Sequence, residues 1–200
     1  MTKSVWVVGT GGCGETVIME CLKDLGLKLN HVHDGDGLKH IPYGINSKGN
    51  AKFDVVIYLF NNPVNAICSH FRREWGGVQS RKITRRPPQF KARSANEYFR
   101  LVDSQKKDLF GVKTHFLSWK GNTSKKPIIF LDTSHLVENI PLLEKFLEVD
   151  DLSIIRDNWD PSKSHDYSAY VEAHPKAAQF YKKIYEDMCL FAEKNNAKYA

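Results

Sequence analysis

Two hundred residues, 42% hydrophobic and 12% aromatic, suffice for one α/β domain with a substantial core and are short for two. No run approaches the roughly eighteen apolar residues of a membrane span, and no long apolar leader opens the chain, so neither a membrane protein nor a secreted one is expected. The net charge of +6 is local: residues 72–93 hold eight basic side chains and one acid, a balance of +7, and the rest sums to −1. A polyanionic partner is therefore implied for one patch only. Cys13, Cys21, Cys68 and Cys189 form no C-x-x-C pair, which suits a reducing compartment. The expectation is a cytoplasmic single domain over residues 1–200.

Val5, Trp6, Val7 and Val8 form the short apolar run of a buried central strand. It enters the glycine-rich stretch 9–16, and Val17, Ile18, Cys21, Leu22 and Leu25 then recur at helix spacing. Strand, glycine loop and helix start is the arrangement of a phosphate cradle, in which backbone N–H groups and the helix dipole meet one anion. Gly9, Gly14 and Thr16 match the Walker spacing, but Glu15 stands where that pattern has lysine. A carboxylate about 4 Å from a phosphate costs on the order of several kcal/mol, which argues against an ordinary ATPase or GTPase. The loop still serves if Glu15 points outward while Thr16 and the backbone amides hold the oxyanion. The bland alternative is a tight turn with no ligand.

Residues 28–33 read as a second strand, followed by a polar loop to about residue 52. His31-x-His33-Asp34-x-Asp36 would set two imidazoles on one strand face beside carboxylates. No third ligand stands at a recognisable spacing, so histidines lining a polar pocket are expected and no metal. Residues 53–60 (FDVVIYLF) are a buried strand, ending at Asn61-Asn62-Pro63, where an asparagine caps and proline opens a helix running to about Trp75.

The glycine loop after one strand and the Asn-Pro helix after the next resemble the P-loop sulfotransferase superfamily. Gly11-Gly12-Cys13-Gly14-Glu15-Thr16 overlies its P-K-S-G-T-T type motif, and Asn61-Asn62-Pro63 through Ser69 overlies its R-N-P-x-x-x-x-x-S motif. The resemblance implies binding of 3′-phosphoadenylyl sulfate (PAPS) and its product adenosine 3′,5′-bisphosphate. Gly11, Gly12, Cys13, Gly14 and Thr16 would hold the 5′-phosphosulfate; Asn61, Ser69 and the adjacent Arg72 and Arg73 would hold the 3′-phosphate. Gly12 stands where the family has its lysine, and Asn61 where it has its arginine.

Residues 76–93, with paired glycines and paired prolines, read as a basic mobile loop: a lid over the nucleotide or a solvated segment, with nonspecific nucleic-acid binding ranked third. Ser94 and Glu97 then mark a helix start. Residues 108–119 contain Lys113-Thr114-His115, similar to the K-T-H tripeptide in which cytosolic sulfotransferases place their catalytic base, though later in the chain; the resemblance makes His115 a catalytic candidate, against the alternative of a packed histidine. Residues 127–131 form a third strong strand, capped by Asp132-Thr133-Ser134, and Leu136, Ile140, Leu143, Phe146 and Leu147 give the next helix its core face. Residues 152–168 read as irregular. A last helix spans about 175–195, with Phe180, Tyr181, Ile184, Met188 and Phe191 as its stripe.

Alternating strands and helices predict a three-layer α/β domain with a mostly parallel sheet and the ligand at its carboxyl edge. The leading expectation is sulfuryl transfer from PAPS to a hydroxyl of a small-molecule or glycan acceptor, with Glu15, His33 or His115 as candidate bases and His31 and His70 as further ones. The alternatives are a catalytically degenerate nucleotide- or polyanion-binding protein of the same fold and, more remotely, a P-loop small-molecule kinase. The first two separate on whether any cation reaches the phosphosulfate bridge.

Overall fold

The computed structural model describes residues 3–45, 52–123, 125–160 and 167–200. Strand β1 (Ser4–Gly9) is followed by helix α1 (Glu15–Asp24), the short strand β2 (Lys28–Leu29) and strand β3 (Val55–Phe60). Four helices come next: α2 (Pro63–Arg72), α3 (Gly76–Thr84), α4 (Ala95–Gln105) and α5 (Val112–Lys120). Strand β4 (Ile128–Asp132) leads through a 3₁₀ turn to α6 (Ile140–Leu147), α7 (Ser153–Asn158), α8 (Ser168–Ala173) and the long α9 (Pro175–Asn196). The four strands pair in the order β2-β1-β3-β4, all parallel.

Strand alternation sorts the core into two layers. Trp6, Val8, Val56, Tyr58, Phe60, Ile128 and Phe130 face α2, α4, α5 and α9. Val5, Val7, Val55, Ile57, Leu59, Ile129 and Leu131 face α1, α6 and α7. The result is the expected three-layer α/β architecture, with all three long strands buried on both faces, as parallel sheets require.

Both sheet edges end on asparagine amides. Asn30 accepts from Val7 N–H at 2.8 Å and donates to Val7 C=O at 3.0 Å, continuing the ladder where β2 stops. Asn196 does the same for Phe130, at 3.1 and 2.6 Å, on the outer side of β4. Each amide supplies both halves of a strand partner, so the buried edge groups are paired without another strand.

Three expectations need correction. The second strand stops at Leu29, because Asn30 takes its place and the chain turns: Asp36 accepts from His31 N–H, and His31 Nδ1 accepts from the N–H groups of His33 and Gly35. His31 and His33 thus lie in a turn, not on a strand face. Residues 76–84 are helix α3 rather than loop; its buried face is Gln79, Ser80 and Ile83, so polar side chains conceal the period that apolar ones would show. Within 152–168, residues 153–158 form α7 around the buried Ile155, and residues 161–166 lie outside the described part. Of the polar loop expected up to residue 52, residues 46–51 lie outside the described part.

Candidate functional site

Chain order reverses between β1 and β3: from β1 the chain goes out to β2, then crosses back to the other side. The crevice at the carboxyl ends of these two strands is the switch point where α/β sheets hold ligands. Two loops meet there, residues 9–14 after β1 and Asn61-Asn62 after β3. Asn62 caps α2 by accepting from Val64 N–H at 3.0 Å, with Pro63 in its first turn. Asn61 reaches across instead, donating to Gly12 C=O at 3.2 Å and accepting from the Cys13 thiol at 3.3 Å. It braces the loop from behind.

Gly11, Gly12 and Gly14 have φ of 84°, 73° and 77°, the left-handed conformations that turn successive N–H groups to one side. The group they meet is Glu15. Its Oε1 accepts from Gly11 N–H at 2.7 Å and its Oε2 from Cys13 N–H at 3.1 Å, so the carboxylate folds back into the nest that an external oxyanion would fill. The outward orientation expected of Glu15 is therefore not found. Burial pushes its pKa up, but His40, Lys39 and the backbone N–H groups outweigh burial and hold the carboxyl below its usual value.

Outside the filled nest lies a crevice of about 280 Å³, whose walls include Thr16, His33, Lys39, His40, His70 and Arg73. Lys39 Nζ donates to Thr16 Oγ1 and to Val32 C=O, both at 2.8 Å. A cation from a distant loop thus reaches the hydroxyl at the start of α1. Burial lowers the Lys39 pKa, against the pull of Glu15 and Asp34. The Lys39 loop is itself pinned: Gly9 N–H donates to Lys39 C=O at 3.0 Å, and Asp34 accepts from Lys39 N–H at 3.0 Å and from Lys82 Nζ at 2.6 Å. Arg85 adds a bond to Gly37 C=O at 2.8 Å, so part of the basic segment walls and props the crevice. His40 Nδ1 donates to Gly9 C=O at 2.9 Å, and burial depresses its pKa.

His70, on α2, is 2% exposed, stacks on Phe110 at 5.8 Å and 17°, and has neither ring nitrogen in a hydrogen bond. Burial first and then Arg73 lower its pKa to about 4, so the ring is neutral at pH 7.

The candidates distribute unevenly. Gly11, Gly12, Glu15, Thr16, His33 and Arg73 line the crevice. Cys13, Gly14 and Asn61 build the loop behind it; Trp159 covers Gly14 so closely that a Cβ there would stand 2.4 Å from its ring. Ser69 is taken up by Arg73, which donates to its hydroxyl at 2.9 Å, and Arg72 is exposed outside the crevice lining. His115 lies away from the site. Its Nε2–H donates to Ile41 C=O at 3.1 Å, and its Nδ1 accepts from Tyr58 O–H at 2.9 Å, a packed neutral imidazole whose pKa burial lowers to about 3. Lys39, His40 and the Lys82–Asp34 pair were not singled out from the sequence; Lys39 meets Thr16 from 23 positions away, a spacing no local pattern announces.

Among the described residues, no group of three His, Cys, Asp or Glu side chains is placed to hold a metal ion, and no helix is long and apolar enough to cross a membrane. No family model, curated protein or solved structure matches the chain.

Proposed function

We propose that the chain is a sulfotransferase-like protein that binds PAPS in the crevice between the glycine loop, α2 and the Lys39 loop, and transfers its sulfuryl group to an acceptor hydroxyl. The observation that carries this reading is Lys39 on Thr16 at 2.8 Å. Gly12 and Asn61 remove the two family cations, and Lys39 returns one to the mouth of the loop from elsewhere in the chain. Charge-assisted bonds of this type contribute about 1.5–3 kcal/mol each. In the transfer the acceptor oxygen attacks sulfur as the bond from sulfur to the phosphate oxygen breaks. The Lys39 ammonium faces the charge that develops on that phosphate. His33, exposed at the rim, is the group free to take the hydroxyl proton. Glu15, already accepting two N–H bonds with a depressed pKa, is a poor base.

One observation favours a second reading. Glu15 fills the nest, which suits a protein that binds the nucleotide without turning it over. Mass action separates the alternatives: adenosine 3′,5′-bisphosphate at about 100 times its dissociation constant raises stability by about 2.7 kcal/mol. Thermal unfolding is expected to shift with the bisphosphate and not with ATP–Mg²⁺. Release of bisphosphate from PAPS on adding hydroxyl acceptors supports transfer, whereas binding without release supports the second reading. A shift with ATP–Mg²⁺ alone contradicts both.

A further inference from the structure

His70 is the one described histidine whose buried ring nitrogens both lack a hydrogen bond. A buried polar group without a partner costs about 1–3 kcal/mol, so its retention calls for an explanation. The ring edge lies against Gly11 and Gly12 of the glycine loop, with the Gly11 backbone as a polar neighbour. A Cβ on Gly11 would stand 2.8 Å from His70 Nε2, and one on Gly12 would stand 3.4 Å from it. Only because these positions lack side chains can the loop pack against that edge, which covers the ring nitrogens without giving them a well-formed hydrogen bond. The flat face is occupied by Phe110, which fixes the ring plane. Lys39 lines the same crevice and spends two of its three N–H groups on Thr16 and Val32. The nest behind them is already filled by a carboxylate at 2.7 and 3.1 Å.

We propose that the crevice binds a single tetrahedral oxyanion, the sulfate or phosphate group of a monoester, outside the nest, with the His70 ring N–H and the third Lys39 N–H as its donors, while Glu15 keeps the loop amides. A neutral imidazole suits this role, because it donates one hydrogen bond without adding a charge that must be desolvated. Arg73, the residue that follows α2, bonds back to Ser69 and lines the same crevice. The inference deepens the nucleotide reading by placing the oxyanion, and it rests on that reading only for the identity of the rest of the ligand.

The test is nuclear magnetic resonance of the full chain, following the His70 ring nitrogens and the Gly11 and Cys13 amides during titration with inorganic sulfate and, separately, with adenosine 3′,5′-bisphosphate. Sulfate is expected to move the His70 ring signals and leave the two amides nearly still. His70→Phe, which preserves the stack on Phe110, is expected to weaken sulfate binding about tenfold or more, in keeping with loss of a hydrogen bond to a charged group. Thermal unfolding of the variant checks that the fold is kept, and His70→Gln, which retains a donor, is expected to recover part of the affinity. Movement of the Gly11 and Cys13 amides with a still His70 ring would place the anion in the nest and overturn the proposal, as would wild-type sulfate affinity in His70→Phe or no sulfate binding at all. Bisphosphate binding that bypasses His70 would sink the subsite and spare the nucleotide reading. Sulfate on His70 without bisphosphate binding would do the reverse.

Discussion

The crevice at the glycine loop and the core beneath α5 each enclose a neutral histidine. His115 is 0% exposed and His70 is 2% exposed, and burial depresses the pKa of both, to about 3 and about 4. Their surroundings differ. His115 donates to Ile41, accepts from Tyr58 and sits in a cluster of aromatic rings that includes Phe116 and Trp119. His70 makes neither bond and stands against bare glycines. Equal burial with unequal hydrogen bonding separates a histidine that holds the fold from one that the fold holds in place for something else.

Removing each ring in turn separates the two environments. His115→Phe leaves the Tyr58 hydroxyl without its acceptor in a dry core and is expected to cost about 2–4 kcal/mol of stability. His70→Phe deletes two groups already without hydrogen bonds and is expected to be neutral or to add about 1 kcal/mol. Urea unfolding midpoints of the two variants decide it, and comparable losses would contradict the distinction. A second variant extends the argument to the sheet edge. Asn196→Leu strands both backbone groups of Phe130 and is expected to cost roughly 2–3 kcal/mol in the same assay, more than a substitution at an exposed site of α9.

Acid acts on the same two rings. In the unfolded chain a histidine protonates near pH 6.5, whereas His70 and His115 stay neutral in the fold until about pH 4 and about pH 3. The unfolded state therefore binds more protons below about pH 6.5, and stability falls as pH drops through that range. Glu15, held below its usual pKa, adds a loss of the same sign at lower pH. His70→Phe is expected to make the slope shallower by about 1.4 kcal/mol per pH unit between roughly pH 6 and pH 4.5, read from denaturation at a pH series. An unchanged slope would mean that His70 is not held neutral. Smallest is Asn61→Ala, expected to cost about 1 kcal/mol by releasing Gly12 and Cys13, with faster hydrogen exchange confined to the loop amides.

The layers of the molecule were legible where burial is written in apolar residues. Val5 to Val8, the run before Asn61 and the run before Asp132 are buried on both sides and read as strands without ambiguity. The Asn62-Pro63 and Ser94 helix starts were equally plain, since a cap and its first turn lie side by side in the chain. Helix α3 escaped because Gln79 and Ser80 occupy its buried face, where they bond to Thr10 C=O and Phe110 C=O. At the site, the glycines announced a cradle, but nothing local indicated that Glu15 would turn back two and four residues to fill it. Lys39 was invisible for the opposite reason: its partner is remote, and the turn that delivers it is organised by Asp34 and Asp36.

Lys39 is proposed to supply the cation that the 11–16 and 61–69 segments lack. Isothermal titration of the wild-type chain and of Lys39→Met with adenosine 3′,5′-bisphosphate tests it most directly, with thermal unfolding of both proteins to confirm that the variant is folded. Micromolar binding by the wild type is expected, with a loss of about tenfold or more in Lys39→Met, as for a charge-assisted contact. Absence of binding by the wild type, or equal binding by a folded Lys39→Met, would contradict it.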